Sequence, residues 1–261
     1  MPTLCAELLV EARFRGFEGL ALGGYLAGRI AAGLPSAEVK LRRPVPVGRR
    51  LFLEERGAGV RELLDAEGTV LARARPAEVD LSPPRPVAVA EAAVASEGSL
   101  QRSGVRHPFP GCFACGDGRA DGDGLRLFAG PVGGEGLVAA AWTPPPTLAN
   151  GAGEVQPELV WAALDCPTIM AAVFASDPDD RQRVVSRQLA VALRGPVRTG
   201  QPHAVVAWLA AREARLLVAG GAVLGADGEV LAVARHVLAP AEWGVPLGRA
   251  LWGRMPSGPP A

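Results

Sequence analysis

What this 261-residue sequence lacks narrows its function first. It has no surplus of either charge, with 27 Lys+Arg against 27 Asp+Glu. A nucleic-acid groove works by neutralising phosphates and needs a basic excess, so no nucleic-acid partner is expected. Lysine is almost missing: Lys40 is the only one, and arginine carries the positive charge. The stretch Met1–Glu7 has no basic lead, and Glu7, Glu11, Arg13 and Arg15 interrupt any long apolar run. Neither a signal peptide nor a membrane span is expected, and a cytoplasmic location is. Four unevenly spaced cysteines are too few for a disulfide framework and read as reduced thiols. Disorder is excluded too, because 49 % of residues are hydrophobic and only 21 % charged, enough to bury a core.

What is present is an internal repeat. Residues 63–75, LLDAEGTVLARAR, recur as VLGADGEVLAVAR at 223–235. Upstream, Arg43-Pro-Val-Pro-Val-Gly48 is echoed by Gly195-Pro-Val-Arg-Thr-Gly200 at a different offset, so the second copy carries an insertion. Glu67-Gly68 and Asp227-Gly228 separate apolar runs. Glycine there supplies the positive φ of a tight turn, and both pairs predict β-hairpins. Each copy also holds a helix candidate. Leu22–Leu34 places Leu22, Leu26, Ile30 and Leu34 on one stripe, stopped by Gly33 and Pro35. Pro157–Phe174 is apolar almost all round, with Pro157 suited to a first turn and Pro167 expected to kink it.

A strand opens each half, Ala6–Phe14 and Leu137–Thr143, with a further strand candidate at Leu125–Phe128. Each half thus reads strand, loop, helix, then antiparallel strands, with one helix covering a sheet. The division expected is 1–85, a linker over 86–104 with a short helix near Val87–Ser96, a second unit over 105–245, and a tail over 246–261.

Strand, apolar helix and curled antiparallel sheet, twice in tandem, resemble the double-hotdog acyl-CoA thioesterases. The run Gly151–Asp165, GAGEVQPELVWAALD, is similar to the loop and central helix of hotdog thioesterases, where an acidic residue on the helix serves the reaction. Cys112-Phe-Ala-Cys-Gly116 with Asp123-Gly-Leu-Arg-Leu127 looks like a distinct, uncharacterised subgroup. The resemblance implies an α+β double hotdog with two long central helices, and an acyl-CoA or similar thioester as partner. It implies no cofactor, and a monomer or homodimer. Those thioesterases also use a Thr or Ser and a Gln on later strands of the second half. Ala211–Val218 and Leu231–Val237 hold no matching Gln or Thr, so Asp165 is expected to act with other helpers or largely alone. A hotdog hydratase pairs a His with an acid. None of His107, His203 and His236 lies on the central helix or the loop before it, which disfavours that chemistry.

Asp165 is the lead catalytic candidate, as general base or nucleophile, because it is the one acid between Glu158 and Asp177 in an apolar helix. The bland alternative is an Asp that caps a helix segment restarting at Pro167. Free N–H groups at Glu158 and Leu159 are candidate oxyanion donors. Trp161, Gly23 and Gly24 are candidate substrate-binding residues. Glu18 is the nearest acid in the first half and reads as an exposed loop residue. Arg42-Arg43, Arg49-Arg50 and Arg181 to Arg187 could hold coenzyme A phosphates but read as solvated strand ends. No metal site is expected. His107, Cys112 and Cys115 have ligand chemistry, and Asp117 or Cys166 could complete four, but the spacing requires neither. The expected activity is thioester hydrolysis, with a non-catalytic acyl-CoA or lipid-binding protein as the alternative.

Overall fold

The computed structural model describes residues 3–102, 104, 107–133, 136–176 and 184–240. The expected tail over 246–261 lies outside them, as do Arg181 and Arg183. In chain order the elements are β1 (Thr3–Leu9), α1 (Gly23–Ile30), β2 (Ser36–Leu41), β3 (Arg50–Gly57), β4 (Val60–Leu64), β5 (Val70–Pro76) and α2 (Val89–Glu97). They continue with β6 (Gly130–Val132), β7 (Leu137–Trp142), α3 (Pro157–Phe174), β8 (Val184–Leu193), β9 (His203–Glu213), β10 (Leu216–Leu224) and β11 (Val230–Pro240).

The strands form one antiparallel sheet in the order β1-β3-β4-β5-β2-β8-β11-β10-β9-β7-β6. Setting aside the short edge strand β6, that order is a palindrome about the β2–β8 joint. Each half places its opening strand outermost and its post-helix strand at the centre. On its core face the joint is apolar: Ala37, Val39, Leu189 and Val191 are paired there and all buried. The turns at Gly68 and Gly228 have φ of 77° and 86°, as the hairpin reading requires. The insertion in the second half is a longer hairpin: β9 and β10 have 11 and 9 residues, against 8 and 5 in β3 and β4.

Several expectations need correction. Only one central helix is long. α1 stops at Ile30, because the Arg61 guanidinium takes the free carbonyls of Ile30 (3.1 Å) and Ala32 (2.6 Å) and Gly33 turns at φ 79°. β1 ends at Leu9 and the chain passes through a 3-10 turn at Ala12–Phe14. Leu125–Phe128 is not a strand. Its Leu125 and Leu127 amides bond Phe113 and Ala114 carbonyls instead, with Arg126 at φ 50°. α3 runs unbroken through Pro167. The Thr168 hydroxyl lies 2.8 Å from the Leu164 carbonyl and 2.6 Å from that of Asp165, bonding back onto the preceding turn.

Nor is one helix all that covers the second half. α3 fills one face, while α2 and Val87 pack on the other against Leu137, Val206 and Trp208. α3 is long and apolar enough to cross a membrane, but most of it is packed inside the protein. The segment 107–129 docks back on the first half: Phe113 donates its amide to the Arg15 carbonyl, and its ring meets Phe14, which stacks on Tyr25 at 3.9 Å.

The two central helices touch through glycine. A Cβ on Gly24 would lie 2.6 Å from the Trp161 carbonyl oxygen and 2.8 Å from Asp165 Cβ, and one on Gly28 would lie 2.5 Å from Glu158 Cα. Gly28→Ala would gain about 1 kcal/mol in helix propensity. A contact of 2.5 Å with rigid helix backbone falls at the upper end of the roughly 1–3 kcal/mol that overpacking costs, and outweighs the gain. We expect Gly28→Ala to lower the urea midpoint, a sign opposite to that of Gly→Ala in an uncrowded helix.

Candidate active site

The close approach of the helices brings a carboxylate to a helix N-terminus. Asp165 lies midway along α3 and is 2 % exposed. Its Oδ2 accepts the Gly24 amide of α1 at 2.6 Å. That amide belongs to the first turn of α1, where backbone N–H groups have no intrahelical acceptor and the helix dipole favours negative charge. Oδ1 accepts the Ser186 hydroxyl of β8 at 3.4 Å, and Nδ1 of His236 on β11 lies 4.0 Å from it. Carboxylate, amide and hydroxyl thus come from both halves and meet beside the central joint. Ser186 is half-buried and forms the open side of the group.

Burial pushes the Asp165 carboxyl up to about 6. The nearby Cys112 sulfur adds to the rise, while the Gly24 amide and the Ser186 hydroxyl oppose it. His236 is fully buried, and desolvation alone takes its imidazole down to about 3, so the ring is neutral at physiological pH. Its Nδ1 is 2.7 Å from Thr168 Oγ1, while Nε2 is buried without a hydrogen-bond partner. The His236–Thr168 contact ties β11 to α3 one residue beyond Pro167.

Among the expected site residues, the structure joins Asp165, Gly23 and Gly24. A Cβ on Gly23 would lie 3.4 Å from Asp165 Oδ2 and 3.7 Å from Ser186 Cβ. Glu158 and Leu159 are not part of this group. They start α3, seven residues before Asp165, or about 10 Å along a helix. The Leu159 amide is already bonded to the Gln156 carbonyl at 2.9 Å. The donor that reaches the acid comes from the opposite helix, since the helices run antiparallel across the joint. Trp161 is core, 1 % exposed, with its carbonyl against α1. Glu18, Arg42, Arg43, Arg49, Arg50 and Arg187 are exposed, and Arg50 pairs with Glu7 at 3.5 Å.

Two residues near the acid were missed. Ser186 sits on β8, a strand not considered for a hydroxyl helper. His236, set aside in the sequence as lying off the central helix, sits on β11 and is brought beside α3 by the fold. A second cluster lies one residue further along α3. The sulfurs of Cys112, Cys115 and Cys166 lie within 4.8 Å of one another, all buried, with His107 Nε2 3.4 Å from Cys115 Sγ. Asp117 is exposed and outside it.

No family model matches the sequence, and no curated protein matches it. Solved structures do. A dehydratase domain of a mycocerosic acid synthase-like polyketide synthase has a TM-score of 0.58 at 16 % identity, covering 92 % of this chain and 94 % of that one. A TesB protein of Mycobacterium avium subspecies paratuberculosis gives 0.55 at 16 %, with 85 % and 87 % covered. A protein titled an oleoyl thioesterase of Lactobacillus plantarum gives 0.53 at 9 %, with 92 % and 96 % covered. Across most of its length the chain has an α+β hotdog fold.

Because the His236 imidazole is held neutral in the fold but protonates near 6.5 when unfolded, the unfolded chain binds more protons on acidification. Its contribution is present above about 6.5 and is lost as pH falls towards 3. We expect His236→Asn, which keeps a polar partner for Thr168, to flatten that acid slope. Between about pH 7 and pH 5 the parent should lose ~2 kcal/mol more than the variant, read from urea unfolding at each pH.

Proposed function

We propose that the chain is a tandem of two hotdog units, about residues 1–85 and 105–245, that hydrolyses an acyl-CoA or similar thioester at the joint between them. One observation carries this reading: a buried carboxylate from the helix of the second unit faces the amide-rich start of the helix of the first. The palindromic strand order and the repeated hairpin sequences support the tandem. The full-length likeness to a TesB protein and to a protein titled an oleoyl thioesterase supports the reaction class.

In this reading Asp165 takes a proton from a water molecule, whose oxygen attacks the thioester carbonyl carbon. The Gly24 amide, which bonds the carboxylate in the absence of substrate, turns to the developing oxyanion. When the tetrahedral intermediate collapses, the carbon–sulfur bond breaks. The proton on Asp165 passes to the leaving thiolate, giving a carboxylic acid and free coenzyme A. Ser186 orients the water from the open side, filling the Ser or Thr helper role that the thioesterase resemblance implies. His236 stands on the last strand, where no Gln is found, and acts as a positioning residue through Thr168 and α3.

A second reading is a non-catalytic acyl-CoA or lipid-binding protein. It is favoured by the engagement of both Asp165 oxygens and the near-complete burial of the side chain. Thiol release from a panel of acyl-CoAs separates the two. Asp165→Asn should reduce turnover on the order of 100-fold or more with the substrate still bound. Ser186→Ala should cost ~10-fold, the size of one neutral hydrogen bond. Ligand binding without turnover in the parent would favour the binding protein, and equal rates for parent and Asp165→Asn would remove the acid from the reaction.

A further inference from the structure

The segment 107–129 carries chemistry that thioester hydrolysis does not use. Three buried thiols meet there, two from the Cys112-x-x-Cys115 turn and one from the middle of α3, 51 residues or more away in sequence. Their spacing is not that of a disulfide. Cys112 Sγ and Cys166 Sγ are 3.8 Å apart, against the ~2.05 Å of a bonded pair. It equals the edge of a tetrahedron of thiolates around a metal. Four ligands around zinc, with Zn–S of ~2.3 Å and Zn–N of ~2.0 Å, put neighbouring sulfurs about 3.8 Å apart and a sulfur about 3.5 Å from a ring nitrogen. The second distance is met on one edge, by Cys115 Sγ to His107 Nε2 at 3.4 Å, while the ring lies outside the group that the three sulfurs form within 4.8 Å.

The backbone is arranged for the same purpose. The Cys112-x-x-Cys115 turn brings both of its sulfurs to Cys166 on α3. The turn that allows this closes with the Gly116 amide on the Cys112 carbonyl at 2.9 Å. A side chain at Gly116 is excluded, since its Cβ would lie 2.3 Å from the Pro110 carbonyl oxygen and 2.5 Å from that of Cys112.

We propose that Cys112, Cys115 and Cys166, with Nε2 of His107 swinging in as the fourth ligand, form a closed tetrahedral site for a thiophilic divalent cation, zinc by preference. Three thiolates and an imidazole select zinc over the oxygen-seeking magnesium and calcium. All four positions are filled by protein, so the ion has no open position for water and acts as a structural clamp. It fastens the 107–129 segment, itself docked on the first half through Phe113, to α3 beside Asp165. In the metal-free ring Nδ1 accepts the Phe109 amide at 2.9 Å, and the proton sits on Nε2. The cation replaces that proton, which moves to Nδ1, and the Phe109 contact opens. Thiol protons still present leave to solvent.

The test uses the full chain and does not depend on any acyl-CoA activity. Protein from zinc-supplemented medium should contain one zinc per chain, released stoichiometrically by a mercurial thiol reagent. Cobalt(II) loaded into chelator-stripped protein should give the strong visible bands of a tetrahedral ion and a sulfur-to-cobalt charge-transfer band. Cys112→Ser, Cys115→Ser and Cys166→Ser should each cut that band by about a third, one thiolate in three. His107→Ala should weaken metal affinity at least ~10-fold, the scale for losing one ligand or its support. Cys5→Ser, on the exposed strand β1, should change nothing. Failure of the parent to retain zinc or cobalt at equimolar loading overturns the site, as does an octahedral cobalt spectrum without thiolate charge transfer. An unaltered spectrum and affinity in His107→Ala overturns the four-ligand set. Zinc release and the cobalt spectrum of the parent keep the test decisive if a serine variant fails to fold.

Discussion

The architecture turns on how closely α1 can approach α3. Gly24 and Gly28 remove the side chains that would hold the helices apart, and the Gly24 amide in the first turn of α1 then reaches a carboxylate buried in the middle of α3. Burying an ionisable carboxyl is costly unless hydrogen-bond donors meet it. Here the donors are a helix N-terminus, with its uncompensated N–H groups, and one hydroxyl. Move the helices apart by the width of a methyl group and the acid would lose its principal partner. The site is therefore a property of the joint and of neither half alone.

The joint follows from the sheet. Two sets of five strands meet edge to edge at β2 and β8, and the pairing removes two edges that would otherwise be open to another chain. It also sets both central helices on one face, antiparallel and in contact. The halves are not equivalent. The first contributes a short, glycine-rich helix that donates an amide; the second contributes the long helix with the acid, and the opposite face of its strands is covered by α2. The segment 107–129 crosses from one half to the other, and its two cysteines end beside the third on α3.

Periodicity and turn chemistry were enough to read much of the fold. The acidic-Gly pairs marked both hairpins, the four-residue apolar stripe marked α1, and the apolar run ending in Phe174 marked α3. Those signals are local: a glycine at φ near 80°, or a stripe along one helix face, is visible in a few consecutive residues. Where local signals compete with distant partners, the reading slipped. Leu34 continues the stripe of α1, yet the helix ends at Ile30 because Arg61, thirty residues away, takes its last carbonyls. Leu125–Phe128 has strand composition, yet its amides are claimed by Phe113 and Ala114.

The sequence by itself determined that an isolated acid lies in an apolar helix, and that the chain repeats a hairpin unit. Tertiary structure alone decided what that acid faces. Chain proximity alone points to the start of its own helix, some seven residues back, for oxyanion donors. The antiparallel crossing substitutes the start of the opposite helix. Ser186, His236 and the meeting of Cys166 with Cys112 and Cys115 were hidden for the same reason. Each contact spans 21 residues or more, and strand order rather than sequence spacing sets which residues close such distances.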